Sequence, residues 1–72
     1  MENTTLKVQL GSNIATLRIK AGLSKSALAL ISGVSRAYLV AIESGAANPT
    51  VDVLNRIANG LNTSVGALFE KA

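Results

Sequence analysis

Apolar side chains recur along this 72-residue chain mostly at spacings of three and four, the period of a helix. Leu6, Leu10, Ile14, Leu17 and Ala21 fall 4, 4, 3 and 4 apart and make one stripe of a first helix. Thr4 or Thr5 is placed to cap its start, residues 1 to 5 reading as frayed, and Gly22 stands where a left-handed glycine ends a helix. Gly11 lies inside this helix, where it costs about 1 kcal/mol relative to Ala. A close approach by another helix is the physical reason to keep a glycine there. Further on, Leu28 and Ala29 point inward in a second helix with Ser32 closing the face, and Leu39 and Ile42 pair in a third. Pro49 biases Asn48 away from helical geometry, so Ala46 to Pro49 reads as a loop. Thr50 then caps a fourth helix facing inward through Val53 or Leu54, Ile57, Ala58 and Leu61, with Asn62 as its left-handed stop. Ser64 caps a last short helix, VGALFEK, presenting Val65, Leu68 and Phe69. No segment alternates with period 2. The expected fold is an all-α bundle of five helices, a single domain over residues 1–72.

The centre of this pattern is Ser24 to Gly45. Ser24 is an N-cap before KSALALI, Gly33 interrupts, Ser35 is a second N-cap before RAYLVAIE, and Ser44-Gly45 closes that helix. Two short helices joined through Ser32-Gly33-Val34-Ser35 form a helix-turn-helix, whose second helix suits the DNA major groove.

Composition narrows the alternatives. Seven basic and four acidic residues give a net charge of +3, a mild bias consistent with a limited polyphosphate footprint and ordinary for a soluble domain. There is no Cys, so disulfides and thiolate metal sites are excluded. The apolar runs Ala27–Ile31 and Tyr38–Ile42 fall far short of the ~20 residues that span a bilayer. MENTTLKVQL has an acid at position 2 and no sustained apolar run, unlike a signal peptide, so a cytoplasmic protein without membrane contact is expected. With no His or Cys, and with Glu2, Glu43, Asp52 and Glu70 at spacings that suggest neither acid–base work nor a metal cage, no enzyme, metal or cofactor is expected. The six glycines are scattered singly rather than gathered in a phosphate loop, and no small-molecule ligand is expected.

The positions Leu10-Gly11, Ile14, Leu17-Arg18, Gly22-Leu23-Ser24, Leu28-Ala29, Gly33-Val34-Ser35, Leu39, Ile42-Glu43-Ser44-Gly45, Asn48-Pro49, Leu54, Ile57-Ala58, Leu61, Ser64 and Leu68-Phe69 together resemble the Cro/C1-type (XRE-like) helix-turn-helix family. The resemblance runs from about residue 6 to residue 70 without a gap. That family is similar to phage repressors and to controller proteins of restriction–modification systems. Its members are five-helix domains of the lambda-repressor-like type that bind palindromic operators as dimers. Two departures stand out. Lys25 occupies a position where the family commonly has Gln, and Leu30 and Ile31 stand where charged residues are usual. Either these two form a second contact surface, or the second helix is rotated so that one of them is buried.

The resemblance implies a structural salt bridge between Arg18 and Glu43, a backbone-contacting Asn48, and a dimer interface drawn from Val65, Leu68 and Phe69. The residues themselves place Arg36, Ala37, Val40 and Ala41 on the reading face. Arg36 can pair with guanine O6 and N7, while the three small residues either meet thymine methyls or leave room. Phosphate contacts are expected from Ser24, Lys25, Ser35 and Asn48, and from Tyr38 unless its ring packs on a neighbouring helix. The combined expectation is a homodimeric transcription regulator on a palindromic operator, its recognition helices about 34 Å apart. The alternative is a protein-interaction module such as an antitoxin or adaptor. Non-specific nucleoid or RNA binding is disfavoured by the sparse lysines and by having only Tyr38 and Phe69 as aromatics.

Overall fold

The computed structural model describes residues 3–70. They form four α-helices, α1 (Asn3–Lys20), α2 (Lys25–Ser32), α3 (Arg36–Glu43) and α4 (Val51–Gly60), followed by a 3₁₀ turn, Gly66–Phe69. Each boundary has a local cause. The side-chain oxygens of Ser24, Ser35 and Thr50 accept from the backbone N–H three residues on, at 3.0, 3.0 and 3.1 Å, capping α2, α3 and α4. All four helices end in one motif. Leu23, Val34, Ala46 and Thr63 donate their N–H back to Arg18, Ala29, Ala41 and Ala58 carbonyls, and the residue before each donates to a carbonyl three back. That pair of bonds needs a left-handed residue, supplied by Gly22, Gly33, Gly45 and Asn62 with φ of 73°, 70°, 81° and 57°. At Gly33 this turn redirects the chain by 110° between α2 and α3.

One core fills the space between these helices: Leu10, Ile14, Leu28, Ala29, Leu39, Ile42, Leu54, Ile57, Ala58 and Leu68, with Leu17, Leu23, Val34, Tyr38, Val53, Leu61 and Val65 packed around it. Between the alternatives for α4, Leu54 is the buried residue and Val53 lies half-buried beside it. The α2–α4, α1–α3 and α2–α3 faces all close on this cluster, and the last turn seals it against α1.

Three expectations are corrected. First, α1 begins by Asn3, so Thr4 and Thr5 lie inside it rather than capping it, and only residues 1 and 2 of the supposed frayed tail lie outside the described ones. First-turn amides have no intrahelical partner, so polar residues extend a helix there at little cost. Second, the helix stops one residue short of Ala21, the last member of the expected stripe, and the stripe is exposed at both ends. An 18-residue helix is about 27 Å long and outreaches eight-residue neighbours of about 12 Å, leaving Leu6 exposed; Ala21, past the helix end, is exposed too. Third, the described segment after Ser64 makes one 3₁₀ turn rather than a fifth α-helix. The Ser64 hydroxyl does accept from Ala67 N–H at 3.2 Å, but the segment is four residues long and its length is set by docking Leu68 into the core. Lys71, the end of the expected helix, lies outside the described residues.

Candidate nucleic-acid interface

With Leu39 and Ile42 fully inward, the solvent face of α3 is the stripe Arg36, Ala37, Val40, Ala41 and Ser44. Arg36 and Ala37 are exposed; Val40 and Ala41 are half-buried. Arg36 is the first residue of α3, and Lys25 is the first residue of α2. Each therefore follows a capping serine and sits where free N–H groups and the helix dipole favour an anion. Ser24 and Ser35 are both exposed. Their oxygens accept from Ala27 and Tyr38 N–H, which leaves each hydroxyl proton available to a phosphate oxygen. Lys25 is half-buried, and Asn48 is exposed in the loop that follows α3. Tyr38 packs its ring against the core and is half-buried, so its apolar body is used structurally.

Charge pairing separates the basic residues. Arg18 is bound by Glu43 at 2.8 Å, and Arg56 pairs with Asp52 one turn away at 3.1 Å. Among the described residues Lys7, Lys20, Lys25 and Arg36 make no ion pair, and of these Lys25 and Arg36 stand at the N-terminal ends of α2 and α3.

The orientation of α3 is set from behind. Arg18 grips Glu43 through two parallel bonds, Nε to Oε2 at 2.8 Å and Nη2 to Oε1 at 3.2 Å, and its Nη1 donates to the Leu23 carbonyl at 2.9 Å. Both side chains are nearly buried, 11% and 6% exposed. Two helical turns earlier on the same face of α1, Gly11 lies against the last carbonyls of α3. A Cβ there would overlap the Ile42 oxygen and stand 2.6 Å from the Glu43 oxygen. The close approach expected at Gly11 is thus the C-terminal end of α3.

For the expected dimer patch, Leu68 is 0% exposed, filling the chain's own core and unavailable to a partner. With Leu68 inward, exposed Phe69 and half-buried Val65 are what remain of the set at the surface. Asn13, which no sequence pattern singled out, holds this turn in place. Its Nδ2 donates to the Leu68 and Glu70 carbonyls at 2.9 and 2.6 Å, while Gln9 Nε2 donates to its Oδ1 at 3.1 Å. The partners lie 55 and 57 residues away, so no local signal announces them. On α2, Leu30 and Ile31 are 83% and 56% exposed, so neither is rotated into the core. They edge a shallow depression with Arg56, Asn59 and Gly60.

Two short capped helices crossing through a left-handed glycine, the second held with one face outward, define a helix-turn-helix protein. The helix-turn-helix family model HTH_3 matches residues 14–68, and the chain belongs to that family. Among solved structures it resembles the restriction–modification controller protein C.AhdI from Aeromonas hydrophila at 32% identity and TM-score 0.86, over 88% of this chain and 96% of that one. An HTH_3 family transcriptional regulator from Vibrio cholerae is 40% identical with TM-score 0.89, over 94% of this chain and 38% of that one. The fold also recurs within hydroxypropylphosphonic acid epoxidase from S. wedmorenis, at 29% identity and TM-score 0.85, over 93% of this chain but 36% of the enzyme. A search of curated proteins returns no match. No single described helix is long and apolar enough to cross a membrane.

Proposed function

We propose that this protein is a sequence-specific DNA-binding transcription regulator that acts as a homodimer on an inverted repeat. The observation that carries the reading is the outward stripe of α3, which begins at Arg36 and is held by its buried face and the Arg18–Glu43 grip. Laid in a major groove, α3 presents Arg36, Ala37, Val40 and Ala41 to base edges. Ser24, Lys25, Ser35 and Asn48 flank it as phosphate contacts, with the Tyr38 hydroxyl as a further donor. Such contacts fix register, and the base edges supply the sequence information. Dimerisation runs through Val65 and Phe69, beside the turn held by Asn13. A two-fold then sets the recognition helices about 34 Å apart, one turn of DNA. The likeness to a controller protein over nearly its whole length favours a regulator in which this one domain both binds and pairs.

Arg36 is the direct test. Its forked guanidinium is the donor on this face suited to guanine O6 and N7, a pairing worth about 1–3 kcal/mol. Arg36→Ala is expected to lose about 5- to 150-fold in affinity per half-site, hence at least about 25-fold for the dimer on its preferred duplex, and to become indifferent to the base at one position per half-site. Fluorescence anisotropy with single-base-substituted duplexes checks this. A uniform loss at every sequence, with the guanine preference intact, would reassign Arg36 to phosphate.

A further inference from the structure

The α3 stripe is unusual in what it lacks. Ser44 is the other polar side chain on it, and its hydroxyl donates to the Ala41 carbonyl at 3.0 Å, so that proton is used inside the helix. Ala37, Val40 and Ala41 offer methyl groups and no hydrogen-bonding atom. Major-groove edges carry acceptors, amino donors and, on thymine, the C5 methyl group. An apolar side chain against an acceptor or amino group strips its water and returns nothing. Against a methyl group it buries both surfaces.

We infer that the α3 surface formed by Ala37, Val40 and Ala41 reads the C5 methyl group of pyrimidines, whichever base pair carries it. This rests on the DNA-binding reading above. With no donor or acceptor to tell the pairs apart, 5-methylcytosine opposite guanine substitutes for thymine opposite adenine at these positions. Cytosine C5 methylation within a half-site then creates a contact instead of blocking one. Arg36 supplies the hydrogen-bonded part of recognition, and the methyl contacts supply the rest.

The test uses the full chain and the duplex it enriches from random sequence. Each pyrimidine position outside the Arg36 guanine is resynthesised as T·A, U·A, C·G and 5-methylcytosine·G. Burying one methyl group is worth about fourfold in affinity, hence about sixteenfold when both half-sites are changed. Affinity is expected to follow the methyl group at one or more positions per half-site, with T·A close to 5-methylcytosine·G, and U·A weaker together with C·G. The comparison of C·G with its methylated form removes any effect of uracil on duplex shape. Val40→Ala and, separately, Ala37→Gly are expected to move the thymine-over-uracil ratio toward unity. Because that ratio is taken within each variant, a smaller folded fraction cancels. Equal binding of T·A and U·A at every position overturns the inference while leaving DNA recognition standing. A ratio unchanged in both variants overturns the assignment to this face, and failure to enrich any duplex overturns inference and DNA reading together.

Discussion

Arg18→Ala is expected to destabilise the protein by about 3 kcal/mol, the largest loss from any single side chain outside the apolar core. The substitution leaves the Glu43 carboxylate, 6% exposed, without its two charge-assisted bonds, and leaves the Leu23 carbonyl without its donor. Breaking one side of a buried pair costs more than the pair contributes, because the remaining charge stays desolvated. Total stability for a domain of this size is on the order of 4–11 kcal/mol, so the loss takes a large fraction of it. Thermal unfolding followed by far-UV circular dichroism measures it. The double variant Arg18→Met/Glu43→Leu, which removes both charges and keeps the volume, is expected to recover most of the loss. An unchanged Tm in Arg18→Ala would mean that the grip on α3 contributes nothing, and a double variant as unstable as the single one would trace the loss to packing.

Gly11→Ala is expected to cost about 2 kcal/mol and to lower Tm on the order of 10 °C, although Ala is the better helix former by about 1 kcal/mol. The sign is set by what the new methyl group meets. Its three nearest neighbours are main-chain atoms of Ile42 and Glu43, the Glu43 oxygen at 2.6 Å, and none of them is the flexible end of a side chain. Relief requires α1 and α3 to separate, which also lengthens the Arg18–Glu43 bonds and displaces the Arg36 stripe. A variant of equal or higher Tm would contradict the close approach. A destabilised variant that binds its site with undiminished strength when folded would show that α3 tolerates the shift.

The two substitutions probe neighbouring points on one junction, so their effects are not expected to add. At this junction the C-terminal end of α3 is fixed to α1 by backbone contact at one point and by an ionic grip at the other, which leaves the Arg36 stripe facing outward.

Much of this was legible because the punctuation is local. A serine or threonine cap and a left-handed glycine or asparagine act within about six residues, so Ser24, Gly33, Ser35, Gly45, Thr50 and Asn62 mark the helix boundaries by themselves. Inward residues such as Leu28, Leu39 and Ile57 follow from the 3.6-residue period. What depended on distant partners was not legible. Leu68 and Phe69 are adjacent apolar residues at the end of the chain, and only docking against α1 decides which is buried. Asn13 carries the bonds that hold that turn, yet in sequence it is one more polar residue beside an apolar stripe. The segment after Ser64 has helical composition, but it is too short to gain from further α-helical bonds once Leu68 is seated. Leu30 and Ile31 defeated periodicity for a related reason: they are apolar on the outer face of α2, where no core demands them.

Selection of binding sites from random duplex DNA, with the enriched duplex retested at about 50 and 200 mM salt, tests whether this protein recognises a DNA sequence. An inverted repeat is expected whose half-sites are centred about one helical turn apart, each holding a guanine, with affinity falling steeply as salt rises. No enriched sequence, with weak binding that vanishes at the higher salt, would contradict it. The apolar stripe of α3 and the exposed Leu30 and Ile31 would then be better explained as a surface for another protein.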